Sequence, residues 1–325
     1  MTPVCCRGSL NRFRVGGSSL STSTLFRVDQ QRRSIGLAAK LTDYVELTKP
    51  RILTLVLITV ALTSVIATGG QPVLVRLFHT LLGTTLVAGS ASVFNQWMER
   101  TTDRRMTRTQ DRPIPAGRLG SIEALILGGA SVLIGLSYLS TTTTLSATMW
   151  AAATWFIYVA IYTPLKTKTW LNTAVGAVPG AMPVLIGWTA TGTALDTRAW
   201  CLFLLVYFWQ FPHFMAIAWL YRQQYADAGM KMLTVVDPTG RRAGMHSITS
   251  AIAVLMVSIV PAFLGFQISA LYLVGSMLLG VIQIIRANQF MQSRNEHSAR
   301  KLLRATLVYL PLQLLLVTLL SISII

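Results

Sequence analysis

The sequence predicts an all-α, polytopic membrane protein with about nine transmembrane helices. Three observations lead there. Hydrophobic residues make up 53% of the 325 residues and charged ones only 12%, a balance that soluble domains rarely show. Nine apolar stretches follow one another, each of about 18 residues or more, enough to cross a hydrocarbon core of about 30 Å. Lys and Arg gather in every second loop, so one side of the membrane carries nearly all the charge.

Residues 1–40 stand apart from the rest. They hold seven basic residues and many Ser and Thr, with Asp29 as the one acid. Arg-rich, Ser-rich and acid-poor is the composition of a mitochondrial transit peptide, and no continuous apolar run suits a secretory signal. A basic tail lying outside the membrane is the plainer alternative. Residues 41–325 read as one intramembrane domain.

The apolar stretches lie near 52–69, 73–97, 120–139, 142–163, 171–190, 199–220, 247–266, 269–286 and 303–324. Lys40, Lys49 and Arg51 precede or open the first. After the second come Arg100, Arg104, Arg105, Arg108, Arg112 and Arg118; after the fourth, Lys166 and Lys168. Arg222, Lys231, Arg241 and Arg242 follow the sixth, and Arg286, Arg294, Arg300, Lys301 and Arg304 surround the loop after the eighth. The alternate loops hold only Asp196 and Arg198. This pattern puts the N-terminus and the charged loops inside and the C-terminus outside. Residues 1–40 account for six units of the net charge of +17, and the remaining +11 is spread over loops between apolar spans, not gathered into the single patch that nucleic acid requires. Cys5, Cys6 and Cys201 form no disulfide framework, zinc pattern or heme-attachment motif.

The polar motifs all fall on that inner face. Asn95, Glu99 and Asp103 recur every four residues at the end of the second stretch, so on a helix they share one side. Oxygen ligands on one face with Arg104, Arg108 and Arg112 close by suit a diphosphate carried by Mg²⁺: carboxylates for the hard cation, guanidiniums for the phosphate oxygens. Ionisable groups at a membrane edge call for a function, although a solvated helix end with paired charges is the bland alternative. Tyr162-Thr-Pro-Leu-Lys166 ends the fourth stretch, and Lys166 is either a phosphate contact or a snorkelling anchor. Gly176 and Gly180 have a spacing typical of helix packing. In Trp209-Gln210-Phe-Pro212-His213-Phe, Pro212 predicts a kink, while Gln210 and His213 share a face and line a cavity or serve as packing groups. Tyr225-Ala-Asp227-Ala-Gly229 follows.

Taken together, these motifs resemble the heme O synthases (protoheme IX farnesyltransferases), a branch of the UbiA superfamily of intramembrane prenyltransferases. The resemblance spans about 43–320. It rests on Leu47-Thr-Lys-Pro-Arg51, Asn95 to Pro115, Tyr162 to Lys166 with Asn172, Trp209 to Phe214, and Tyr225 to Gly229 with Met232 and Leu233. It implies a UbiA-type bundle that transfers farnesyl from farnesyl diphosphate to a vinyl group of heme b, giving heme O on the route to heme A and cytochrome c oxidase. Mg²⁺ is then the expected cofactor, held by Asn95, Glu99, Asp103 and Asp227. Arg104, Arg108, Arg112 and Lys166 would bind the diphosphate, and Tyr162 would stabilise the allylic cation. Gln210, His213, Arg222, Tyr225, Arg241 and Arg242 are the expected heme-side residues, His213 also serving in catalysis. Heme b, farnesyl diphosphate, the bilayer and a downstream heme A synthase are the implied partners; nucleic acid is not one. The implied location is the mitochondrial inner membrane, with the active-site loops on the matrix side.

One departure matters. Gln224 stands where that family usually has an acid, so either Asp227 compensates or a single metal suffices. Two other readings stay open at this level: a UbiA enzyme acting on 4-hydroxybenzoate or a quinone precursor, and a non-catalytic heme carrier.

Overall fold

A computed structural model describes residues 36–263 and 270–322. Most of the basic segment expected over 1–40 therefore lies outside the described residues. All regular elements among those described are helical. A short helix, α1 (Leu37–Leu47), precedes the first span. Among the described residues nine helices are long and apolar enough to cross a membrane: α2 (Pro50–Ala67), α3 (Leu74–Asp103), α4 (Ser121–Thr142), α5 (Leu145–Leu165), α6 (Asn172–Ala190), α7 (Thr197–Leu220), then, after the short helices α8 (Arg222–Asp227) and α9 (Leu233–Val236), α10 (Arg241–Ile259), α11 (Ala270–Ser293) and α12 (Glu296–Ile322). The chain is thus a multi-pass membrane protein.

The central span is α6. In its most apolar window 72% of residues are buried, against 17–44% in the other eight spans. It packs on α2, α5 and α7, while α3 pairs with α4, and α10, α11 and α12 pack in sequence. Small residues bring these helices together, as membrane packing requires where no hydrophobic force favours protein over lipid. A Cβ on Gly187 would overlap the carbonyl of Val60, and at this close approach Ser64 Oγ donates to Gly187 O at 2.8 Å. Trp188, fully buried, donates from its indole to Ala194 O at 3.0 Å and so closes the outer end of α6. Leu55, Ile126, Leu133 and Leu278 are more than half exposed, as side chains facing lipid tails would be.

Several helices outrun their hydrophobic stretches on the inner side. The second span runs to Asp103 rather than 97, and the last begins at Glu296 rather than 303. The seventh begins at Arg241 rather than 247. Those turns are polar, so hydropathy does not register them although their backbone bonds continue. The helix α7 is unbroken through Pro212. In α5 a π-helical turn occupies Ile157–Tyr162 just before Pro164. Pro164 has no N–H to give and its ring crowds the preceding turn, and a widened turn accommodates both; such turns are frequent at functional sites.

Candidate active site

The inner end of α3 presents Asn95, Glu99 and Asp103 on one buried face, at 0%, 8% and 1% exposure. Each meets a basic side chain from a different segment. Lys49, between α1 and α2, donates to Asn95 Oδ1 at 2.5 Å. Lys166, just past α5, pairs with Glu99 Oε1 at 2.6 Å. Arg112, in the loop after α3, binds Asp103 Oδ2 at 2.7 Å. Three oxygens on one face are thus matched by three cations.

Local structure fixes each partner. Lys49 adopts a left-handed backbone, φ 54° and ψ 64°, uncommon for a residue with a Cβ. It stands before Pro50, whose fixed φ starts α2. Asn95 Nδ2 donates to Thr163 Oγ1 at 3.2 Å, and Thr163 donates to Tyr158 O within the π turn at 2.8 Å. That chain of bonds turns the Asn95 oxygen towards Lys49. Lys166 is fixed through its backbone, whose carbonyl accepts from Lys231 N at 2.7 Å. Asn172 Nδ2 in turn donates to Lys231 O at 3.0 Å. Thr109 Oγ1 donates to Asp103 O at 3.0 Å and folds the arginine-bearing loop back on the helix.

Burial draws the Lys49 ammonium down to about 7, helped by the charges of Arg112 and Lys166 and opposed by Glu99 and Asp103. Burial would lower Lys166 as well, but the Glu99 carboxylate and the rings of Tyr162 and Tyr158 outweigh it and hold this lysine above its ordinary value. Its Nζ lies 4.7 Å from the centre of the Tyr162 ring. That ring packs on Gly176, where a Cβ would overlap it, so the first glycine of the pair serves packing beside the site.

The other residues expected from the sequence divide into two groups. Arg108 reaches the second inner loop: Nη2 donates to Tyr225 OH at 3.2 Å, and its guanidinium lies 4.8 Å from the Tyr221 ring and 5.8 Å from that of Tyr225. Arg104 instead braces its own loop, donating from Nε to Pro115 O at 2.9 Å. Asp227 is exposed and accepts from Gln223 Nε2 at 2.9 Å. Gln210 donates to Ala177 O and Val206 O and packs on Gly180, tying α7 to α6. The His213 ring stacks on Trp209 with centroids 4.9 Å apart, and its Nδ1 is 3.0 Å from Thr306 Oγ1. Arg222 lies over Trp219, Arg242 over Trp170, and Arg241 is exposed. Lys49, Thr163, Tyr158 and Tyr221 were not singled out as site residues from the sequence. Lys49 had a signal, a lysine directly before the helix-starting Pro50 within a motif that carries the resemblance, but its charge was read for sidedness and given no role at the site.

The donor set suits a hard divalent cation. Asn95, Glu99 and Asp103 supply oxygen only, and Asp103 Oδ1 is buried without a hydrogen-bond partner. Two ammonium groups already sit on these oxygens as cationic stand-ins. Among the described residues no three His, Cys, Asp or Glu gather into a metal cluster. A cation held here therefore relies on the Asn95 amide oxygen and on oxygens brought by a substrate, as Mg²⁺ bound with phosphates commonly does.

Comparison with known proteins points to one family. The UbiA prenyltransferase family profile matches residues 56–310. The protoheme IX farnesyltransferase of Rhodopirellula baltica is 43% identical over 282 residues, covering 85% of this chain and 98% of that protein. The mitochondrial protoheme IX farnesyltransferase of Arabidopsis thaliana is 35% identical, over 82% of this chain and 62% of its own length. Among solved structures, a digeranylgeranylglyceryl phosphate synthase superposes with a TM-score of 0.72 at 16% identity, over 87% of this chain and 99% of that one. A UbiA homologue from Archaeoglobus fulgidus bound to DMAPP and Mg²⁺ gives 0.66 at 15%, over 87% and 100%. At such identities these two establish the fold alone.

Proposed function

The chain belongs to the UbiA prenyltransferase family, and from that membership we propose that it transfers farnesyl from farnesyl diphosphate to a vinyl group of heme b, making heme O. The observation that carries this reading is 43% identity to a protoheme IX farnesyltransferase over nearly its whole length. Asn95, Glu99 and Asp103 would hold Mg²⁺, which when bound neutralises the diphosphate and eases departure of the leaving group.

The protein's own residues supply the rest. Lys166, Arg108 and Arg112 meet the growing charge on the diphosphate as the C1–O bond breaks and its electron pair leaves with oxygen. The face of Tyr162 stabilises the allylic cation, and apolar helix walls exclude stray water from it. The vinyl π pair forms the new carbon–carbon bond to farnesyl C1. Water then adds to the cation left beside the porphyrin ring and loses a proton, giving the hydroxyethyl substituent. On the heme side, His213 and Gln210 orient the macrocycle, Tyr225 packs beside it, and Arg222, Arg241 and Arg242 meet the propionates. Residues 1–40 act as a mitochondrial transit peptide. The catalytic domain lies in the inner membrane with its charged loops in the matrix, passing heme O to a downstream heme-oxidising enzyme and so towards cytochrome c oxidase.

The test uses full-length protein in detergent with heme b, farnesyl diphosphate and Mg²⁺, followed by mass spectrometry of the extracted hemes. The expected product is heme heavier by one farnesyl plus one hydroxyl group. Unchanged heme from folded protein would reject the assignment, and a prenylated 4-hydroxybenzoate in a parallel reaction would move it to the quinone branch.

A further inference from the structure

The three basic groups on the α3 face are not equivalent. Lys166 and Arg112 sit on carboxylates, at 2.6 and 2.7 Å, and each gains a full ion pair. Lys49 sits on the neutral amide oxygen of Asn95 at 2.5 Å. Among the described residues it makes no ion pair with a carboxylate; the charges of Arg112 and Lys166 act against it, while the more distant Glu99 and Asp103 favour it. An ammonium held by a neutral carbonyl, with no carboxylate directly on it, is the most easily displaced of the three. Its backbone is left-handed directly before Pro50, and the ammonium is carried on a flexible four-carbon stem that can turn without the backbone.

We propose that Lys49 is a displaceable internal counter-cation: it holds the Asn95 oxygen while the divalent metal is absent, and passes to the diphosphate oxygens when metal and diphosphate enter together. This extends the function proposed above and rests on it for the identity of the diphosphate. The Asn95 amide is suited to such an exchange because Thr163 fixes its nitrogen side at 3.2 Å. The same oxygen thus faces the ammonium in one state and the metal in the other. One consequence is an order of preference. Metal alone has to compete with Lys49, whereas the metal–diphosphate pair offers that ammonium a better anionic partner. The site would then take its two components as a unit.

The experiment measures Mn²⁺ binding to the full chain in detergent by electron paramagnetic resonance, without heme and without diphosphate, in wild type, Lys49→Met, Lys49→Gln and Lys49→Arg. Removing a unit charge a few ångströms from a metal site is worth about tenfold or more in affinity. Lys49→Met is therefore expected to bind Mn²⁺ about tenfold more tightly, and Lys49→Gln likewise if Lys49→Met fails to fold. Lys49→Arg, which keeps the charge, should stay near wild type. With farnesyl thiodiphosphate present the ranking should reverse, and KM for farnesyl diphosphate should rise in the two neutral variants more than kcat falls. Unchanged or weaker Mn²⁺ binding in the neutral variants would overturn the proposal. The titration contains no heme, so a competitive Mn²⁺ result with no heme product would keep the counter-cation and reject only the heme assignment.

Discussion

The loops that follow α3 and α7 meet at the same end of the bundle, where Arg108 reaches Tyr225, yet they are built from different chemistry. The first turns two carboxylates and an amide inward, buried to 8% exposure or less, and pairs each with a basic group. The second contributes aromatic rings and amides. Tyr221 and Tyr225 flank Arg108, and Gln224 Oε1 is buried without a partner. Of its two acids, Asp227 is exposed and bound to a neighbouring glutamine, and Asp237 accepts from Thr239 and from Arg242 N in its own turn. The difference separates a buried cluster of acidic and amide oxygens after α3 from an aromatic arm after α7. The arm acts on the centre from outside: the Lys231 backbone fixes Lys166, and Tyr225 fixes Arg108.

Substitutions can break or sharpen that division, and their effects should descend from the first loop to the second. Glu99→Gln should lower heme product formation by about 10²–10³-fold or more, the scale seen when a charge-stabilising group is removed from an active site. It also strands the buried Lys166 ammonium, so the detergent melting temperature should fall; an intact melt with full turnover would place the centre elsewhere. Lys166→Met removes a cation from the leaving group but leaves the ligands, and initial rates at varied farnesyl diphosphate should show a loss of about tenfold to a hundredfold. Tyr225→Phe deletes one hydrogen bond to Arg108, worth about 1 kcal/mol or roughly fivefold; a loss as large as that of Glu99→Gln would make the second loop a catalytic centre in its own right. Asp227→Asn, at an exposed side chain, should stay within about twofold of wild type.

How much of this was legible in the sequence differs between the two loops. The four-residue spacing of Asn95, Glu99 and Asp103 needs only the period of a helix to put them on one face, and α3 does carry them there. The nine spans and the loop charges follow from hydropathy and the partition of Lys and Arg. Lys49 was not legible as a site residue, because its contact with Asn95 joins positions 46 apart in the chain. The inner starts of α10 and α12 were hidden for another reason: their first turns are polar, and hydrophobicity says nothing about a helix that continues into water. Asp227 was an expectation raised by Gln224, and its exposed position puts it with the arm and not with the centre.

The most direct test runs wild type, Glu99→Gln and Asp227→Asn side by side with heme b and farnesyl diphosphate, with Mg²⁺ or with EDTA, and reads the extracted hemes by mass spectrometry. The account predicts the farnesylated, hydrated heme from wild type and Asp227→Asn with Mg²⁺, and only traces from Glu99→Gln or with EDTA. Heme left unmodified by folded wild type would contradict it, and so would an Asp227→Asn enzyme as inactive as Glu99→Gln.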